Sequence, residues 1–381
     1  MYGSDKVLLS LVIGLALRDF FPIVLLPEEG PLYLALVAAH IECHIVQVTK
    51  LNRETLSFKG LISLPLELLS SIRVKSRIAR GRHIDLVYSN TLAVLGAAVY
   101  AKFRRIPHLW HVHELLLSPR VVRQGFPWVL RLLADRVICN STLTAQWLLN
   151  EQPKLSGKTD VIWNGLGERP AVNQKAVTTL RESLGLKAGQ LLVVLTGRIN
   201  RWKGQDLFVD AATTLWERGI RNVHYLMVGG VAAGQEQLID TLRQKIGESP
   251  VGSQIHLMQF TDDIWNVWDA CDIAVVPSTE PEPFGMVAIE AMASRKPVVV
   301  AAHGGLLDIV EDGVSGLLFK PNDVTSFADQ LQKLIASPQL RERLGAEGRA
   351  RQTQLFSLDA QLNRTVEVIH QMTTKKLTFN G

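Results

Sequence analysis

The densest run of residues able to do chemistry lies between Pro277 and Leu318, in PSTEPEPFGMVAIEAMASRKPVVVAAHGGLLDIVEDGVSGLL. A strand-like run ends at Pro277, a loop follows, and helical residues begin near Pro283 and Phe284. The start of such a helix carries backbone N–H groups with no acceptor a turn back, and the positive end of the helix dipole. Both favour an anion. Glu282 precedes the helix and Glu290 follows eight positions later. On a helix rising ~1.5 Å per residue, that spacing puts two carboxylates on one face some 12 Å apart. The separation is too wide for an acid and base acting on one bond. It suits carboxylates that grip two ends of an extended polar ligand, although a capping Glu and a solvated Glu would share the pattern.

A second cluster is TGRINRWKGQ at 196–205. A strand ends at Thr196, Gly197 lets the chain turn, and Gly204 opens the next helix. Arg198 and Lys203 flank this loop at the carboxyl end of a parallel sheet, where open α/β folds bind ligands. A guanidinium and an ammonium beside helix N-termini are what a diphosphate needs, while Arg201 is expected in solvent. HGG at 303–305 supplies a turn that a backbone can approach closely. In LWHVHE, His113 stands at a strand's carboxyl end, and His111 shares its face of the extended chain.

Elements must hold these groups. Apolar runs with little alternation recur at 23–26, 43–48, 84–89, 108–112, 136–140, 160–163, 190–196, 223–228, 254–259, 273–277 and 297–302. Amphipathic helices lie between them, which is the pattern of buried parallel strands in α/β domains. The rhythm breaks between Trp163 and Ala188, a polar stretch with Gly and Pro, so two doubly wound domains are expected. They would span 1–165 and 166–355, with a helix over 356–381. The chain opens on helical residues behind a glycine turn, without the strand that starts a doubly wound domain. That predicts a natural start some ten residues upstream, which mass spectrometry of the native N-terminus would check.

Length and composition agree with this organisation. The 381 residues suffice for two or three domains, and 47% hydrophobic residues exclude a disordered chain. Cys43, Cys139 and Cys271 lie far apart in apolar stretches and read as core thiols, which suggests a reducing, cytoplasmic setting. The apolar run at 8–17 is too short to cross a bilayer and reads as a buried helix. The net charge of +5 implies no nucleic acid by itself. It is unevenly placed: residues 1–165 hold 19 Lys and Arg against 12 Asp and Glu. Residues 58–82 alone carry six basic groups against Glu67 among leucines and isoleucines, a stretch suited to an anionic membrane surface. No D-x-D or zinc-type spacing occurs, so no metal is expected. VGGVAAG at 228–234 lacks the spacing of a dinucleotide fingerprint.

These motifs together resemble glycosyltransferase family 4, retaining enzymes of the GT-B fold. EPFGMVAIE matches the family's E-x7-E element, followed by EAMA, PVVV and GG. The resemblance implies two Rossmann-like domains facing each other across a cleft, and transfer of a sugar from a UDP- or GDP-sugar without a metal or other cofactor. The acceptor would be a saccharide or lipid-linked molecule bound by the first domain, in surface polysaccharide or glycolipid synthesis. Glu282 would contact the sugar hydroxyls and Glu290 the ribose. The N–H groups of Phe284, Gly285, Met286 and Val287 would hold the sugar and distal phosphate. Arg198 and Lys203, with Gly197 between strand and loop, would neutralise the leaving diphosphate. Gly3 would approach the same phosphates, and His113 would face the donor sugar. Arg295 stands where the family usually has glycine, which implies strain or a different turn. An epimerase, a phosphorylase or a non-catalytic sugar-nucleotide binder would share much of this pattern.

Overall fold

The computed structural model describes residues 3–47, 58–92, 94–116 and 119–377. Met1, Tyr2, Val48 at the end of the second apolar run, and residues 378–381 of the polar tail lie outside them. The chain divides into two compact units, Met1–Gly167 with Leu358–Gly381, and Glu168–Ser357.

The first unit opens with α1 (Gly3–Ala16), β1 (Ile23–Leu26), α2 (Pro31–Ala38), β2 (Glu42–Ile45), α3 (Phe58–Ile78) and β3 (Val87–Ser89). It continues with α4 (Leu95–Arg104), β4 (His108–Val112), α5 (Arg120–Leu133), β5 (Arg136–Cys139), α6 (Thr142–Glu151) and β6 (Thr159–Val161). Its strands are parallel and fall into two sheets, β1-β2 and β3-β4-β5-β6. Among the described residues β1 pairs with β2 alone and β3 with β4 alone. Gly3 is the first residue of α1 itself rather than part of a turn ahead of it.

The side chains of β4 alternate between two cores, as a period of two requires. Trp110 and Val112 pack with Leu95 and Ala98 of α4, Phe126 and Leu130 of α5, and Leu148 of α6. Leu109 faces the opposite way, with Leu11 and Leu15 of α1.

The second unit contains α7 (Gln174–Ser183), β7 (Leu191–Thr196), α8 (Gln205–Glu217), β8 (Val223–Val228), α9 (Gln237–Glu248), β9 (Ile255–Met258), α10 (Ile264–Ala270) and β10 (Ile273–Val276). It ends with α11 (Met286–Ala293), β11 (Val298–Ala301), α12 (Leu306–Ile309), β12 (Leu317–Phe319), α13 (Val324–Ala336) and α14 (Pro338–Leu355). The last helix, α15 (Leu358–Leu377), belongs to the first unit, where Leu362 and Ile369 join the core beside α1.

Six parallel strands run in the order β12-β11-β10-β7-β8-β9. Every residue of β7, β8, β10 and β11 is buried, which is why these segments are apolar without alternation. Asn173, Asp323 and Ser337 cap α7, α13 and α14 by accepting a backbone N–H three residues on.

Two expectations need correction. β12 was not among the apolar runs, because three residues behind Gly316 give too short a signal. It gains its place only by pairing with β11. And α11 begins at Met286, not near Pro283. Gly285 sits at φ 123°, outside the helical region, so the helix cannot extend back through it. Glu282 is therefore four residues ahead of the helix, and the helical face-sharing argument for Glu282 and Glu290 does not apply.

Candidate functional site

From β7 the chain builds outward to β8 and β9, then crosses back to place β10 on the other side of β7. The loops leaving the carboxyl ends of β7 and β10 therefore lie side by side at the switch point, the end of an open α/β sheet where ligands bind. The two loops carry the two clusters singled out in the sequence.

Glycines let these loops meet backbone to backbone. A Cβ at Gly204 would lie 1.9 Å from the carbonyl oxygen of Pro277, and the residue's φ is +78°, so no other residue type fits without displacement. The N–H of Thr279 then donates to the carbonyl of Trp202. Asn200 shapes the first loop by accepting from the N–H groups of Trp202 and Lys203 at 3.2 and 2.9 Å. Gln205 donates to the Arg198 carbonyl, and Arg198 itself is exposed.

Across the switch point, the Lys203 ammonium lies 2.6 Å from Oε1 of Glu282, and both side chains are largely buried. Lys203 also sits 4.4 Å above the Trp202 ring, and the Ser278 hydroxyl donates to the same carboxylate oxygen. The sequence had shown Lys203 and Glu282 separately. Neither Ser278 nor Trp202 was singled out, though an Asn two residues before Trp202 is a legible turn signal.

The loop over 303–305 braces Glu282 from behind. The Gly305 N–H donates to the Glu282 carbonyl at 2.7 Å, and a Cβ on Gly304 would strike Glu282 backbone atoms at 2.6 Å. His303 donates through Nε2 to the Ser278 carbonyl at 2.8 Å and so braces the turn. Phe284 is buried edge-on against Phe356, so it anchors the loop while its backbone precedes the helix. Gly285, Met286 and Val287 follow at the start of α11, where N–H groups lack acceptors one turn back. Glu290, in the middle of α11, accepts from the indole N–H of the buried Trp268 at 3.4 Å. A shallow depression of about 500 Å³ between α7 and α10, lined by residues such as Thr179, Met258 and Asn266, includes none of these loop residues.

In the first unit, His113 follows β4 directly. Its Nε2–H donates to Oδ1 of Asn90 at 3.1 Å, which leaves Nδ1 as an acceptor. Its ring centroid is 3.8 Å from that of His111, whose Nδ1 is hydrogen-bonded to the Tyr88 hydroxyl at 2.6 Å. Burial holds His113 down to about 4, and burial then the neighbouring His113 hold His111 well below its ordinary value. Both imidazoles are neutral near pH 7. Glu114 accepts from the N–H groups of Leu92 and His113, joining the loops after β3 and β4. Asn90 and Tyr88 were not legible as partners, because only the pairing of β3 with β4 brings them to His113 and His111.

Comparison with known proteins bears on the whole chain. Residues 2–167 match the family model described as Glycosyltransferase Family 4, and residues 176–351 the one described as Glycosyl transferases group 1. The chain belongs to glycosyltransferase family 4. A D-inositol 3-phosphate glycosyltransferase of Mycolicibacterium smegmatis is 32% identical over 232 residues, covering 60% of this chain and 52% of that protein. The chain thus aligns with about half the length of such curated relatives. The crystal structure of Anabaena HepE with UDP matches with TM-score 0.81 and 26% identity, over 97% of this chain and 96% of that one. HepE has also been solved with UDP-glucose. A glycosyltransferase from Rickettsia africae, 20% identical, shares the fold with TM-score 0.83 over 97% of this chain and 94% of its own. The two-unit α/β architecture with parallel sheets is that of the GT-B glycosyltransferases.

Proposed function

We propose that this family member transfers a hexosyl group from a nucleoside-diphosphate sugar to a saccharide or lipid-linked acceptor, with retention at the anomeric carbon and without a metal. The observation that carries this reading is the Lys203–Glu282 pair at the switch point of the second unit, ahead of the α11 N-terminus. A UDP-sugar is the first donor to test, since HepE, at about a quarter identity, was solved with UDP and UDP-glucose.

Transfer breaks the bond from C1 to the distal phosphate oxygen, and that electron pair leaves with the diphosphate. Lys203 and Arg198 stabilise the growing negative charge, and the N–H groups of Gly285, Met286 and Val287 hold the distal phosphate. Fixed charges in a water-poor site act strongly on developing charge, about 3 kcal/mol or more for one good contact. The acceptor oxygen attacks C1 from the departing side, and its proton passes to the leaving phosphate oxygen. Glu282, tied to Lys203 and Ser278, orients sugar hydroxyls and is not a nucleophile. Glu290 holds the ribose. His113, kept neutral, accepts a sugar hydroxyl through Nδ1.

A thermal-shift screen of nucleotide sugars tests this reading. The correct donor raises the melting temperature, since a ligand at a hundred times its Kd adds about 2.7 kcal/mol. D-inositol 3-phosphate joins the acceptor panel because relatives bear its name. A screen in which no nucleoside-diphosphate sugar stabilises the protein rejects the proposal. Nucleoside diphosphate release independent of any acceptor points instead to a GT-B epimerase.

A further inference from the structure

One side of the first unit carries large apolar side chains on solvent-facing helix surfaces, a feature the donor chemistry does not use. The parallel β3-β4-β5-β6 sheet is joined by crossovers through α4, α5 and α6. Right-handed connections put these helices on one face, and their shared core with Trp110, Val112 and Val137 agrees. Leu68 of α3 packs against the same core, so α3 joins this layer.

The outward surface of α3 is defined by what is buried. Ser71 and Lys75 turn inward. Leu66 and Leu69 are 71% and 50% exposed, and Arg73, Arg77 and Arg80 continue the same stripe at helical spacing. Outward on α5, Val121, Trp128 and Leu132 are 76%, 51% and 63% exposed at i, i+7 and i+11. Arg131 lies against the Trp128 ring, 5.1 Å from its centroid. Between these helices, the carboxyl end of α4 presents Phe103, flanked by Lys102, Arg104 and Arg105.

Sign and composition decide what fits this surface. The three helices carry nine Lys and Arg and one carboxylate, Glu67. Arg123 of α5 is paired with Glu151 of α6. Leucine, valine and one tryptophan at the tips, with arginines beside them, are what an interfacial helix presents to lipid: apolar groups enter the acyl boundary, and guanidinium groups meet phosphates. Trp128 is suited to the headgroup level. We propose that the outer face formed by α3, the end of α4 and α5 seats the protein on an anionic phospholipid bilayer. The basic excess of the first unit then serves a surface, beyond the single stretch at 58–82. The proposal rests on no assignment of donor or catalytic residue.

Co-sedimentation of the full chain with phosphatidylcholine vesicles, with and without phosphatidylglycerol, tests it. The wild type binds only vesicles containing phosphatidylglycerol, and added salt weakens binding. Arg73→Ala with Arg77→Ala lowers partitioning roughly tenfold or more, from about 1 kcal/mol per basic group near the surface. Trp128→Ser with Leu132→Ser lowers it on the same scale. Because these side chains face solvent, both double variants keep the wild-type melting temperature and circular dichroism spectrum. Equal binding to neutral vesicles overturns the proposal, as does undiminished binding by the folded variants. So does a lipid-free dimer, seen by sedimentation, that the Trp128→Ser, Leu132→Ser variant abolishes.

Discussion

Lys203 and Glu282 are 79 positions apart in the chain and 2.6 Å apart in the molecule. A buried ion pair contributes little net stability, but removing one partner leaves a desolvated charge, at a cost of about 3–5 kcal/mol. The pair is therefore better read as two groups held ready for a ligand carrying both phosphate and hydroxyls. Arg295 shows the opposite economy. It sits at φ 56° after α11, and its N–H and that of Lys296 close the helix end on the Met292 and Ala291 carbonyls. A left-handed conformation costs a non-glycine residue about 1–2 kcal/mol, partly offset in the glycine variant by its freer unfolded chain. Arg295→Gly should raise stability by about 0.5–1 kcal/mol in denaturant titration and leave turnover unchanged. A loss of stability would show that the arginine side chain contributes more than its backbone costs.

Element by element, the apolar runs located the buried strands because strands covered on both faces must be apolar throughout. β12 escaped for lack of length, and the start of α11 was misplaced because Pro283 and Phe284 look like a helix opening while Gly285 breaks it. The candidate site was legible where single residues carry charge, as with Lys203 and Glu282, which the fold brings together. It was not legible where a polar group serves through a neighbouring strand or loop, as Asn90 serves His113 and Ser278 serves Glu282.

The β4 segment also carries a pH dependence. His108 and His113 are each held to about 4 by burial, from an ordinary 6.5, and His111 is lowered as well. Unfolding therefore takes up protons between these values. The stabilisation is complete above about pH 6.5 and is lost as pH falls toward 4, by up to 1.4 kcal/mol per pH unit for each histidine. Glu114, whose buried carboxyl is raised, opposes part of the loss. Denaturant midpoints should fall across pH 6.5 to 4, less so in His108→Gln. A flat profile would mean that these imidazoles are solvated in the native state.

At the scale of the whole molecule, the two units divide the labour by composition as well as by fold. The first carries the histidine pair and the basic, apolar-tipped helical layer. The second carries two loops at its switch point, locked together by glycine contacts and bearing Lys203, Arg198 and the approach to the α11 N-terminus. Calorimetric titration of UDP-glucose into the wild type and Lys203→Met tests the central claim most directly, with the melting temperature of each recorded beforehand. The account predicts one site in the wild type and at least tenfold weaker binding in the folded variant, about 1.4 kcal/mol. Equal affinity in the two proteins would contradict it.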